Sequence, residues 1–382
     1  MNKSTSLYLD VMRLAAALLL FIVHANYLIP DGLPGLWYLS GLGAEAGTVF
    51  FVLSGFVIAH VVATREFQAA DYLAARFSRL YSVVLPALLA TVVLDLAGAA
   101  LDPDEYAASM KNGAWSIAAS LVFANELWFS AIRPLSNTPF WSLGYEFWYY
   151  MIYAAAHYVP GRGRKVAAVS LVCLICGPKI LLLMPVWLLG VAAYALSGKF
   201  RLTRPAAAML AIASAGGLLL LVLTGAKAQW HAYTIAALEE PARMLGPSSH
   251  VLYRLVFGLL VSLHVFAMVT LAPTFDAVWR VFGRAVRAAS AYTFAIYLLH
   301  FPILKFLAVA SVTAGLGTLR FPVIVVLSFL SIAVLNGACD RLKPVLKKRL
   351  QDGFGKLASV RAATAEPGPR KVATKSAGKV RQ

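Results

Sequence analysis

The sequence predicts an all-α, polytopic membrane bundle of about ten transmembrane helices with both termini cytoplasmic. Three observations predict it. Of 382 residues, 60% are apolar and 13% charged, with a mean hydropathy of +0.74. A soluble domain carries about a quarter of its residues charged, and half that density does not cover a water-facing globule, so disordered, disulfide-rich and ordinary cytosolic classes are excluded. Apolar runs long enough to cross a hydrocarbon core, about 17 to 25 residues, recur along the chain. Lys and Arg, finally, collect on alternate sides of those runs, as cytoplasmic loops demand.

In chain order the runs are 7–29, 44–63, 80–100, 140–159, 166–178, 181–198, 205–224, 251–272, 289–311 and 321–340. The fifth is short and ends on Gly177 and Pro178. The stretch 114–131 is amphipathic and carries Asn125 and Glu126, so it is expected to lie on the membrane or dip into it. With the N-terminus inside, 26 of the 34 basic residues fall on the inner side, three in each inner loop, a regularity that an eleventh span would destroy. The first apolar run lacks a small-x-small cleavage site and reads as a span rather than a removable signal.

Residues 1–340 are expected to form the membrane domain and 341–382 a basic cytoplasmic tail. The tail holds twelve basic residues against Asp352 and Glu366, which is +10 of the net +17. Rich in small and polar residues, it is expected to be mostly disordered. It reads as an anchor near anionic lipid and not as a nucleic-acid partner. Cys173 and Cys176 lie inside an apolar run with Cys339 far away, which is no disulfide framework. Neither a nucleotide-binding glycine motif nor a metal-ligand spacing occurs.

Ionisable residues inside spans are expensive and therefore informative. At 100° per residue, Arg13 and His24 fall about 20° apart on the first helix, and Asp10 about 40° from His24. One stripe of that helix thus carries an acid, a guanidinium and an imidazole and must face protein or water. His24 lies roughly 16 Å beyond Arg13 along the axis, in the outer half of the bilayer. In the second span Ser54 and Gly55 form a small notch suited to close helix contact. The inner RFSRLY places Arg76 and Arg79 three apart on one helical face, a geometry for gripping phosphate; the positive-inside bias alone also puts arginines here. Glu146 opens the fourth span among Trp141, Tyr145, Trp148, Tyr149 and Tyr150, at a depth expected to match His24. His300 sits near mid-membrane in the ninth span, with Lys305 about one turn later.

Set side by side, LDVMRLAAALLLFIVHA with its Arg-x10-His spacing, FFVLSGFVI, RFSRLY, WSLGYEF and YLLHFP resemble, in order over residues 9–302, the acyltransferase 3 family. These are integral membrane enzymes that move acyl groups, usually acetyl, onto cell-envelope glycans and related acceptors. The resemblance implies that His24 is the catalytic histidine, as base or as transient acyl carrier, with Arg13 as the arginine on its stripe. It implies that Ser54, Gly55 and Phe56 match the family's Ser-Gly-Phe element, and that Arg76 and Arg79 serve the donor, acetyl-CoA or another acyl-CoA. Glu146 and His300 match recurrent polar positions, and Glu146 is expected to orient the His24 imidazole or stabilise its protonated form. Where the family often has an acid before FFVLSGF this chain has Thr48, with Glu45 out of register.

The expected activity is transfer of acetyl from acetyl-CoA to a hydroxyl of a cell-surface glycan, at a bacterial inner membrane, without a metal. The competing class is a secondary transporter whose polar residues line a substrate path; it would show related halves, and no internal repeat is visible.

Overall fold

A computed structural model of the chain describes residues 1–29, 35, 39, 41–111, 113–312 and 315–364, with side chains as far as Lys356. All regular structure among them is helical. The chain opens with α1 (Lys3–Leu28), α2 (Gly43–Thr64) and α3 (Ala69–Leu101), followed by the short α4 (Pro103–Met110) and α5 (Gly113–Leu121). Next come α6 (Trp141–Tyr158), α7 (Arg162–Cys176), α8 (Pro178–Lys199) and α9 (Arg204–Leu223). The short α10 (Ala226–Leu238) and α11 (Glu240–Met244) lead to α12 (Val251–Leu271), α13 (Asp276–Ser290), α14 (Thr293–Ala310) and α15 (Arg320–Thr364).

Eight stretches are long and apolar enough to cross a membrane: α1, α2, α3, α8, α9, α12 with its continuation α13, α14, and α15. The other two predicted spans are helical at α6 and α7. The first is dense in aromatic and polar residues, and the second has only 15 residues. A bundle of this kind is an integral membrane protein.

Differences from the expected pattern have identifiable causes. The stretch 114–131 is not one helix. After the nine residues of α5 the chain runs irregularly through the bundle to residue 137, with Phe123, Asn125, Glu126, Leu135, Ser136 and Asn137 all buried. Irregular backbone is tolerated at membrane depth only where protein or a cavity surrounds it. Phe123, Trp128 and Leu135 hold φ of 55°, 53° and 51°, a left-handed conformation unfavourable for side chains of this size. The surrounding helices supply the restraint: Asp95 accepts from the Ser136 N–H and hydroxyl at 2.8 and 2.6 Å, and the Asn137 amide donates to the Leu298 carbonyl at 2.9 Å.

The last helix also runs past the expected boundary at 340 to Thr364. Lys, Arg, Leu and Gln are good helix formers, and Leu342, Leu346 and Leu350 recur every fourth residue as a half-buried stripe. Gln351 donates to Asp71 at the start of α3, 3.4 Å away. The first part of the basic tail is therefore ordered helix; residues 365–382 lie outside the described residues.

Helices α2 and α8 approach each other closely. A Cβ on Gly55 would stand 2.1 Å from the Trp187 carbonyl oxygen, and one on Gly190 1.9 Å from that of Val52. Both obstacles are backbone and cannot swing aside. We expect Gly190→Ala to cost about 1–3 kcal/mol, the usual range for overpacking, read as a lower melting temperature of the detergent-solubilised protein; an unchanged melting temperature would show that the helices separate freely.

Candidate functional site

The end of the bundle carrying the α1 N-terminus, the α2–α3 connection and the start of α14 opens inward. A narrow chamber of about 60 Å³ lies there, bounded by Arg13 of α1, Ser54 of α2, Arg76 and Arg79 of α3, Glu146 of α6 and Tyr297 of α14. Five of the elements singled out from sequence thus converge on one space. Arg13 stands 3.5 Å from Asp10, one turn earlier on the same face, as the helical stripe requires.

The two arginines of RFSRLY divide their tasks. Arg76 is buried, donates to Glu66 at 2.6 Å, and lies over the Tyr72 ring, 5.4 Å from its centroid. Arg79 is in no ion pair among the described residues and lies 6.0 Å from the Phe294 ring centroid. Glu146 accepts from the Ser54 hydroxyl at 2.5 Å and from the Tyr150 hydroxyl, while the Trp187 indole donates to Ser54 at 3.2 Å. Ser54 is therefore tied to the acid, whereas Gly55 and Phe56 turn away from the chamber toward α8, Phe56 packing edge-on against Tyr194.

Glu146 is not at the depth of His24. Ser142 bonds Tyr297, and from that level Glu146 lies four residues toward the N-terminal end of the bundle and His300 three residues the other way. The separation is about 10 Å of helix rise. α6 begins inside the bundle, after the irregular segment, instead of at its surface. The side chain that meets His24 is His300 instead: the rings stack with centroids 5.0 Å apart, and Nδ1 of His24 lies 2.7 Å from Nε2 of His300. His300 Nδ1 lies 2.8 Å from the Ile296 carbonyl. A carbonyl only accepts, so His300 Nδ1 carries the proton and its Nε2 is bare. That nitrogen must then accept from His24 Nδ1–H, which leaves His24 Nε2 with a free lone pair. Phe301 closes edge-on against His24, with centroids 5.1 Å apart. The chamber stops one turn short of this pair, where Phe50 stands edge-on to Tyr297.

Several buried polar groups lie elsewhere. Lys305 pairs with Glu105 at 3.3 Å and sits over Tyr106, away from the site. Arg254 of α12 was not singled out from sequence. It is buried over Trp141 and donates to the Ala44 carbonyl at 3.1 Å and the Thr48 hydroxyl at 3.3 Å, while Tyr253 donates to Glu45 at 2.9 Å. The signal was present as an Arg inside the apolar VLYRLVF. Thr48 thus serves as an acceptor for a cation.

Lys179 and Glu126 form a buried ion pair in which Lys179 also donates to the Ser130 carbonyl. Removing one partner strands the other, so we expect Lys179→Ala to destabilise by about 3–5 kcal/mol and the double variant Lys179→Met/Glu126→Leu to recover most of the loss. Thermal unfolding in detergent checks this, and equal loss in both variants would contradict it.

A family model described as "Acyltransferase domain" matches residues 6–336. No curated protein and no solved structure matches the chain.

Proposed function

Because this chain belongs to that acyltransferase family, we propose that it moves acetyl from acetyl-CoA to a hydroxyl of a cell-envelope glycan, with His24 Nε2 as the base, in a bacterial inner membrane. The observation that carries the proposal is the directed chain of hydrogen bonds from His24 through His300 to the Ile296 carbonyl, which leaves one imidazole nitrogen bare. The basic end of the bundle faces the cytoplasm by its charge bias, which puts the chamber on the donor's side and His24 toward the acceptor's.

In the reaction His24 Nε2 takes the proton of the acceptor hydroxyl as its oxygen attacks the thioester carbonyl. The C–O bond forms, the C–S bond breaks, and the departing thiolate takes the proton from the imidazolium. As positive charge develops on His24, the His300 acceptor steadies it. Arg13 and Glu146 line the donor's path, and Arg79 holds phosphate there.

Incubating membranes that contain the protein with labelled acetyl-CoA and envelope glycans is the test. A labelled ester on the glycan is expected. Labelled solute moving across the membrane with no covalent product would point to transport instead.

A further inference from the structure

Below the chamber, at the N-terminal end of the bundle, a wider vestibule of about 350 Å³ is lined by Arg79 of α3, Arg287 of α13 and Lys343 of α15. It shares Arg13, Arg79, Thr293 and Phe294 with the chamber, so the two adjoin. Two carboxylates line it: Asp10 lies 3.5 Å from Arg13 and within electrostatic reach of Arg79 and Arg287, and Asp340 accepts from the Asn336 amide at 2.9 Å and attracts Lys343. Among the described residues Arg79, Arg287 and Lys343 are in no ion pair, and Lys343 and Arg79 are near enough to repel. Arg13, Arg79, Arg287 and Lys343 against two carboxylates leave the cavity with an excess of positive charge, which favours an anion there.

We propose that Arg287 and Lys343, with Arg79, bind the phosphates of the coenzyme A donor, so that α13 and the basic continuation of α15 form the donor's outer binding site. This rests on the acyl-CoA reading above. It also relocates the phosphate grip: Arg76 is held by Glu66, and the charges that take its place come from elements some 200 residues or more downstream of RFSRLY in the chain. The basic continuation of the last helix is thereby part of the binding wall as well as a membrane anchor, and its bond from Gln351 to Asp71 holds it against α3.

Phosphate esters reach such a vestibule from two sources, the soluble donor and an anionic lipid headgroup, and the experiment separates them. Coenzyme A binding to the full chain in phosphatidylcholine nanodiscs is measured by calorimetry for the wild type, Arg287→Ala/Lys343→Ala and Lys343→Arg. Each lost charge-assisted contact is expected to weaken binding about tenfold or more, with Lys343→Arg close to wild type. Unchanged binding in the double variant overturns the proposal. So does a double variant that retains less phosphatidylglycerol in mixed discs while binding coenzyme A as before, since the occupant is then a lipid headgroup. Charge-dependent coenzyme A binding by a wild type that acylates nothing would overturn the enzymatic reading alone and leave this site standing. Normal acylation with unaltered binding in the variants would overturn this site alone.

Discussion

Membranes carrying His24→Ala should transfer acetyl about 10² to 10⁴ times more slowly than wild type, the range that a positioned base contributes. No other base stands where His24 Nε2 does: the unprotonated Nε2 of His300 lies behind His24, 2.7 Å from its Nδ1, and Glu146 is bound to Ser54 and Tyr150 about 10 Å of helix rise away. Donor binding should persist in the same variant, because the arginines of the chamber and vestibule lie at the other end of α1. The measurement is label transferred per unit of protein in the membrane, together with coenzyme A binding. A variant that acylates at the full rate sinks the mechanism. If His24 carries the acyl group itself, rapid quenching of the wild type with labelled donor would trap a labelled imidazole, and direct transfer would trap none.

His300→Phe should lower turnover by about 10²-fold, at the lower end of the same range, without displacing the site. Phenylalanine keeps a ring beside Phe21 and Phe301, where His300 now packs, but offers no acceptor. His24 is then free to place its proton on either nitrogen, and the fraction with a bare Nε2 falls. His300→Gln restores an acceptor oxygen and should recover most of the rate. Rescue by Gln separates positioning from packing, because Gln is the poorer fit for the ring-shaped space. Equal turnover in Phe and wild type would mean that His24 needs no partner.

The ten hydrophobic runs were legible because apolar length is a property of one segment at a time, and each run corresponds to a helix. The stripe of Asp10, Arg13 and His24 was legible for the same reason: helical periodicity fixes which residues of α1 share a face. What periodicity does not contain is which segment meets which. The pairing of His24 with His300 joins residues 276 apart, and that of Arg76 with Glu66 depends on how the α2–α3 connection folds back. The depth of Glu146 was misjudged because the run 140–159 has the length of a span, whereas α6 starts inside the bundle. The amphipathic α13 was hidden as a loop by its arginines. Ser54, Gly55 and Phe56 are contiguous in the Ser-Gly-Phe element, yet a helix turns 100° per residue, so Ser54 lines the chamber while Gly55 and Phe56 point at α8.

The irregular segment before α6 also sets an order in time. Its Asn137 amide is satisfied by the carbonyl of Leu298, a residue 161 positions later. At a synthesis rate of about 5 to 20 residues per second, that partner emerges roughly 8 to 30 s after Asn137 itself. Until then the segment has unpaired backbone and polar side chains that lipid does not solvate, so it must wait in the water-lined interior of the insertion machinery or at the membrane surface. The part of the bundle around His24 can therefore close only once α14 has been made, and His300 arrives on that same helix. Assembly of the hidden loop and completion of the histidine pair are a single late event in the birth of the protein.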